Sequence, residues 1–110
     1  MNGYQITFFT QQDRRHAGKP LADWLIHLVA ELGLRGATVM PGSEGVGHDR
    51  HFHSAHFFEL ADQPLTVLMA VTTDEADRLF ERLRAEGVHL FYVKTAVEFG
   101  SLGDPEEPGG

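Results

Sequence analysis

Four of the seven histidines, His48, His51, His53 and His56, fall within nine residues, with Asp49 among them. Imidazole is a ligand for Zn²⁺, Cu²⁺ or Ni²⁺, and on an extended segment His51 and His53 share a face. Two other readings fit the same residues. One is a solvated polar loop in which His53 makes a structural hydrogen bond; the other is a loop that changes charge as free imidazole titrates near pH ~6.5. No H-x-x-x-H pair and no H-E-x-x-H accompanies the cluster, so the spacing permits metal binding without requiring it. Just before it stand Gly42, Gly45 and Gly47. Glycines let the backbone approach an anion closely, as in a phosphate nest, or simply turn the chain. Glu44 between them repels phosphate but suits a ribose hydroxyl or a bridging cation. Thr38 offers a hydroxyl nearby, or is plain strand chemistry. Arg14, Arg15, His16 and Lys19 form the one basic cluster. It reads as an exposed loop, in line with the surface preference of charged residues, with an anion across a subunit boundary as the alternative.

The elements that must hold these residues follow from periodicity. Tyr4, Ile6 and Phe8 alternate with Gln5, Thr7 and Phe9, which predicts a strand over 4–10. A polar loop is expected over 11–19. Pro20 suits the first turn of a helix, and Leu21, Trp24, Leu25, Leu28 and Leu32 recur on one helical stripe that Gly33 ends. Residues 37–41 predict a second strand. The Gly-rich, polar run from Gly42 to His53 has no period and predicts a long loop. Residues 55–60 return to β character, 62–64 suggest a turn or bulge, and Leu65 to Val71 form the strongest strand. Thr72 and Glu75 fit a capping box that opens a second helix, with Ala76, Leu79, Phe80 and Leu83 on its stripe and Gly87 at its end. Val88 to Phe99 is the last strand, with Leu90 and Tyr92 on one side and Phe91, Val93, Val97 and Phe99 on the other. Trp24 and the phenylalanines are read as core.

This β-α-β-β-α-β order specifies an α+β, ferredoxin-like fold: a four-stranded antiparallel sheet, two helices on one face, and a long loop between strands 2 and 3. Residues 1–102 are expected to form one domain and 103–110 a flexible acidic tail. Two helices cover one sheet face only, while Leu68, Ala70, Leu90 and Tyr92 are expected to make the centre of the other face apolar. Such a face predicts packing against other copies of the chain.

Composition sets the outer bounds. The 110 residues carry 9 Lys+Arg against 16 Asp+Glu, a net charge of −7, with no Lys/Arg run. That balance argues against nucleic acid as a partner. The absence of cysteine removes disulfides, thiolate metal sites and cysteine nucleophiles. No apolar run approaches the ~20 residues of a membrane span, and the N-terminus has no signal-peptide pattern. A soluble, cytoplasmic protein without direct membrane insertion is expected.

Four motifs carry a family resemblance. Gly18-Lys19-Pro20-Leu21 opens the first helix, Gly36-Ala37-Thr38-Val39 forms the second strand, Gly42-Ser43-Glu44-Gly45-Val46-Gly47 opens the loop, and His53-Ser54 follows it. With Pro64-Leu65-Thr66-Val67 in altered order, the chain from about Tyr4 to Phe99 resembles the PII signalling proteins. Within them it is most similar to the PII-like "domain of unknown function 190". The resemblance implies a homotrimer whose sheets line a central core and a regulatory rather than catalytic role. It also implies an adenine nucleotide or other small effector between subunits, and a loop, here 43–56, that docks on a transporter, channel or enzyme. Effector-binding residues implied in this chain are Thr38, Gly42, Glu44, Gly45, Gly47 and His53. PII proteins hold phosphates with a Gly-rich, Lys-bearing turn after the second helix, where this chain has only Ala85-Glu86-Gly87-Val88. The alternative is a CutA-like trimer binding Zn or Cu through His48, His51, His53 and His56. A small enzyme with His53 or Asp49 as base ranks last, since no nucleophile has a partnered base and orienter.

Overall fold

The computed structural model of the chain describes residues 1–42, 44–46, 52–54 and 63–103. Its main sheet is built from β1 (Asn2–Gln11), β4 (Thr38–Pro41), β7 (Pro64–Thr72) and β8 (Phe91–Glu98), all antiparallel, in the order β4-β7-β1-β8. In β1 the even positions Ile6 and Phe8 pair with Met69 and Val67 of β7, and all four are buried. They pack in one cluster with Leu25, Leu28 and Val29 of α1 (Leu21–Glu31) and Ala76, Leu79 and Leu83 of α2 (Thr73–Ala85). Both helices therefore cover the same sheet face, which is the ferredoxin-like arrangement expected from the element order.

Local chemistry fixes the ends of these elements. α1 follows Pro20 without a side-chain cap, and the Leu21 amide instead donates to the Arg14 carbonyl at 2.7 Å. α2 opens on a complete capping box: the Glu75 amide donates to Thr72 Oγ1 at 3.2 Å, and the Thr72 amide to Glu75 Oε1 at 2.8 Å. Gly33 and Gly87 stop the two helices at φ +70° and +69°, where a side chain would be strained. Gly3 is required for a different reason: a Cβ there would run into the Val71 carbonyl and lie 2.7 Å from Thr72 Cα.

Three expectations are corrected. The segment after β1 is not simply a loop. It holds a small hairpin, β2 (Arg15–His16) with β3 (Lys19–Pro20), turned by Ala17 at φ +52° and Gly18 at φ +79°. The expected loop beyond β4 likewise contains a hairpin, β5 (Glu44–Val46) with β6 (Phe52–Ser54). Strands this short show no periodicity, so neither was legible in the sequence. Third, the two sides of β8 are exchanged. Tyr92 pairs with Phe8 and Lys94 with Ile6, which puts both on the helix-bearing face. Tyr92 meets the Phe80 ring at 4.8 Å, and Leu90 packs against the core. Phe91, Val93 and Val97 take the open face instead. The expected strand over 55–60 and the tail 104–110 lie outside the described residues. Among the described residues, no helix is long and apolar enough to cross a membrane.

Candidate functional site

Of the residues singled out for effector binding, Gly42 stands at one end of the sheet. There β4 ends at Pro41, opposite Leu65, and the Gly42 amide donates to the Pro64 carbonyl at 2.8 Å. A Cβ on Gly42 would stand 3.2 Å from the Pro64 side chain, so glycine lets the two arms of the loop close against each other. The Gln12 amide bonds the Gln63 carbonyl at 2.8 Å, tying the end of β1 to the same point. Thr38 sits on β4 opposite Leu68, exposed on the open face. The β5–β6 hairpin sets Gly45 opposite His53 and Glu44 opposite Ser54. Three of the expected residues, Glu44, Gly45 and His53, therefore share one ribbon. Gly47 and the metal candidates His48, His51 and His56 lie outside the described residues. Among the described residues, no group of three His, Asp or Glu side chains could hold a metal ion.

The open sheet face adjoins this loop base. Met40, Phe9 and Phe91 lie along its near edge, with Leu68 and Val93 in the next row. Phe91 is 67% exposed, Val93 46%, Met40 43% and Phe9 39%, and the Phe9 and Phe91 rings sit 5.5 Å apart. Phe9 and Phe91 are therefore surface groups, contrary to the reading of every phenylalanine as core. Alternation on β1 sets Phe9 on the side of Gln5 and Thr7, but it could not sort Phe91, because β8 carries apolar residues at both parities.

The basic cluster is exposed at Arg15 and Lys19, as expected, and half-buried at Arg14 and His16. Rather than standing free, its hairpin bridges both helices and the turn between α2 and β8. Arg14 donates to the His89 carbonyl at 2.7 Å, and His16 Nε2 lies 3.2 Å from Glu86 Oε1. The His16 ring meets the Trp24 edge with centroids 4.4 Å apart, and Lys19 Nζ lies 3.4 Å from His27 Nδ1. The one available signal was the Ala17-Gly18 pair, a two-residue turn between Arg-His and Lys-Pro. At the opposite end of the sheet, Asn2, Tyr4, Thr73, Ala96 and Glu98 line a concavity of about 420 Å³. None of the expected site residues touches it.

Comparison with known proteins agrees with this architecture. The model of the DUF190 family, described as "Uncharacterized ACR", matches residues 3–97. A UPF0166 protein of Aquifex aeolicus (strain VF5) is 27% identical over 82 residues, spanning 74% of this chain and 78% of that protein. Among solved structures, CPII, a nitrogen regulatory PII-like protein from Thiomonas intermedia K12, aligns with a TM-score of 0.63 at 12% identity. The alignment covers 92% of this chain and 96% of that one. The structure of a PII-like signalling protein from Thermus thermophilus gives a TM-score of 0.57 at 19% identity, covering 88% and 87%. The matched model spans nearly the whole described sheet and both helices, and the chain belongs to the DUF190 family with the fold of PII-like signalling proteins.

Proposed function

We propose that the chain is a PII-like regulatory protein that works as a homotrimer and catalyses no reaction. The observation that carries this reading is the open sheet face, whose exposed Phe91, Val93, Met40 and Phe9 border the loop base. Apolar surface of this kind is covered in a working protein, and a second and third copy would cover it symmetrically. The clefts between copies would then lie beside Thr38, Gly42, Glu44, Gly45, Gly47 and His53, the residues proposed to meet the effector. A ligand with different affinity for two conformations of the 43–56 segment shifts their populations, and that segment contacts a transporter, channel or enzyme.

An adenine nucleotide is the effector class to test first, because the CPII structure is described as bound to ADP, AMP and bicarbonate. Residues 1–102 form the proposed domain, acting in the cytoplasm. Native mass spectrometry of the purified chain, alone and after separate additions of ADP, AMP and Zn²⁺, tests the reading. A trimer that retains nucleotide supports it. A trimer that ignores nucleotide but holds Zn²⁺ in fixed ratio replaces it with metal binding by the histidine cluster. A monomer overturns both. Deletion of Ser43 to Ser54 is expected to abolish partner binding and leave the trimer intact.

A further inference from the structure

The β2–β3 hairpin carries one histidine and touches another, and a proton acts on their contacts in opposite directions. His16, on β2, points to α2: its Nε2 lies 3.2 Å from Glu86 Oε1 with the side chain 22% exposed. Glu86 is also 3.6 Å from Arg82, which in turn reaches Glu31 of α1 at 2.7 Å. Protonated, His16 holds Glu86 by a charge-assisted hydrogen bond, stronger than the neutral one. Lys19 stands directly opposite His16 in the hairpin register, and its ammonium lies 3.4 Å from Nδ1 of His27 on α1. Neutral His27 can accept a hydrogen bond from that ammonium. Protonated, it has no lone pair to offer and repels the lysine.

We infer that the hairpin is a proton-responsive clasp: acidification tightens its hold on α2 through His16–Glu86 and loosens the Lys19–His27 contact with α1, where the His16–Trp24 contact remains. The other groups around the two imidazoles are Trp24 beside His16, Arg82 behind Glu86, and Asp23 and Glu31 one turn either side of His27. Two tethers do not depend on these imidazoles and serve as the hinge: the Leu21 amide on the Arg14 carbonyl, and Arg14 on the His89 carbonyl, both at 2.7 Å. The hairpin leads directly into α1 and abuts the α2–β8 turn. A proton therefore strengthens one contact of the hairpin and weakens another at the loop end of the sheet.

Trp24 is the sole tryptophan and touches His16, so its emission reports the imidazole, since an imidazolium quenches a neighbouring indole. The test uses the full chain between pH ~5.5 and ~8.5, across the range where imidazoles titrate. Emission is expected to fall on acidification in the wild type and to stay flat in His16→Gln. In parallel, amide exchange of Gly18 and Lys19, corrected for its intrinsic pH dependence, is expected to speed up in acid. That change is expected to vanish in His27→Gln, whose amide oxygen accepts from Lys19 at every pH. Far-UV spectra and thermal melts check that both variants fold. Emission independent of pH in the wild type, or a titration that survives His16→Gln, overturns the α2 arm. Corrected exchange that is equal at both ends of the range overturns the α1 arm.

Discussion

Along the two central strands, β1 and β7, the two faces of the sheet end in opposite states, while the edge strands leave Tyr92 and Val39 exposed even on the helix side. On one face Ile6, Val67 and Val71 are fully buried under α1 and α2. On the other, one residue along the same strands, Phe9 and its neighbours Phe91 and Val93 are 39–67% exposed. Alternation along a strand distributes side chains to both faces, but a chain with two helices can close only one. Among the described residues nothing covers the open face, which lies beside the loop base.

The largest effect that would break this comparison is loss of assembly. Phe91→Asp with Val93→Asp is expected to reduce the solution mass to that of one 12.2 kDa chain, with an unchanged far-UV spectrum. Light scattering after size exclusion reads this, and an unchanged mass would remove the open face from the interface. On the closed face Phe8→Ala should cost about 3–5 kcal/mol in urea unfolding, because it leaves a cavity in the core. Its neighbour Phe9→Ala, placed in the dissociated double variant, should change stability by no more than about 0.5 kcal/mol. Equal losses at positions 8 and 9 would erase the distinction between the faces. Gly3→Ala should cost about 1–3 kcal/mol by forcing a Cβ against the backbone of β7, and thermal unfolding would show it. The smallest effect is Thr72→Ala, about 1 kcal/mol from the lost α2 cap, measured in the same melts.

Much of this fold was legible because its larger elements repeat with a clear period. The Leu21, Leu25 and Leu28 stripe, the alternation of β1 and the Thr72–Glu75 capping box all appear where the residues placed them. The sides of β8 were not legible. Phe91, Tyr92 and Val93 are apolar at both parities, and only pairing of Lys94 with Ile6 decides which side meets the helices. Lys94 itself disguised the answer: its ammonium lies 4.3 Å from the Tyr4 ring and 5.4 Å from Phe80, a charge accommodated on the helix side by aromatic faces. Of the candidate site, the steric reason for Gly42, a Pro64 side chain 3.2 Å from where its Cβ would stand, was not legible, because it depends on a residue 22 positions away. The bridging role of Arg14, His16 and Lys19 was not legible either, because it depends on contacts 8 to 75 residues away in the chain.

The 2.8 Å bond between Gly42 and Pro64 holds the two ends that flank positions 43–63 together, as a gate. Closing a chain at such a point depends only logarithmically on its length, so doubling the enclosed segment would cost about 0.6 kcal/mol. The register of β4 on β7 is set outside the gate, by Thr38–Pro41 against Leu65–Leu68. Sequence inside the gate can therefore lengthen, shorten or be replaced over generations without shifting a single pair in the sheet. A lineage can rewrite what lies between Gly42 and Pro64 while inheriting the platform unchanged.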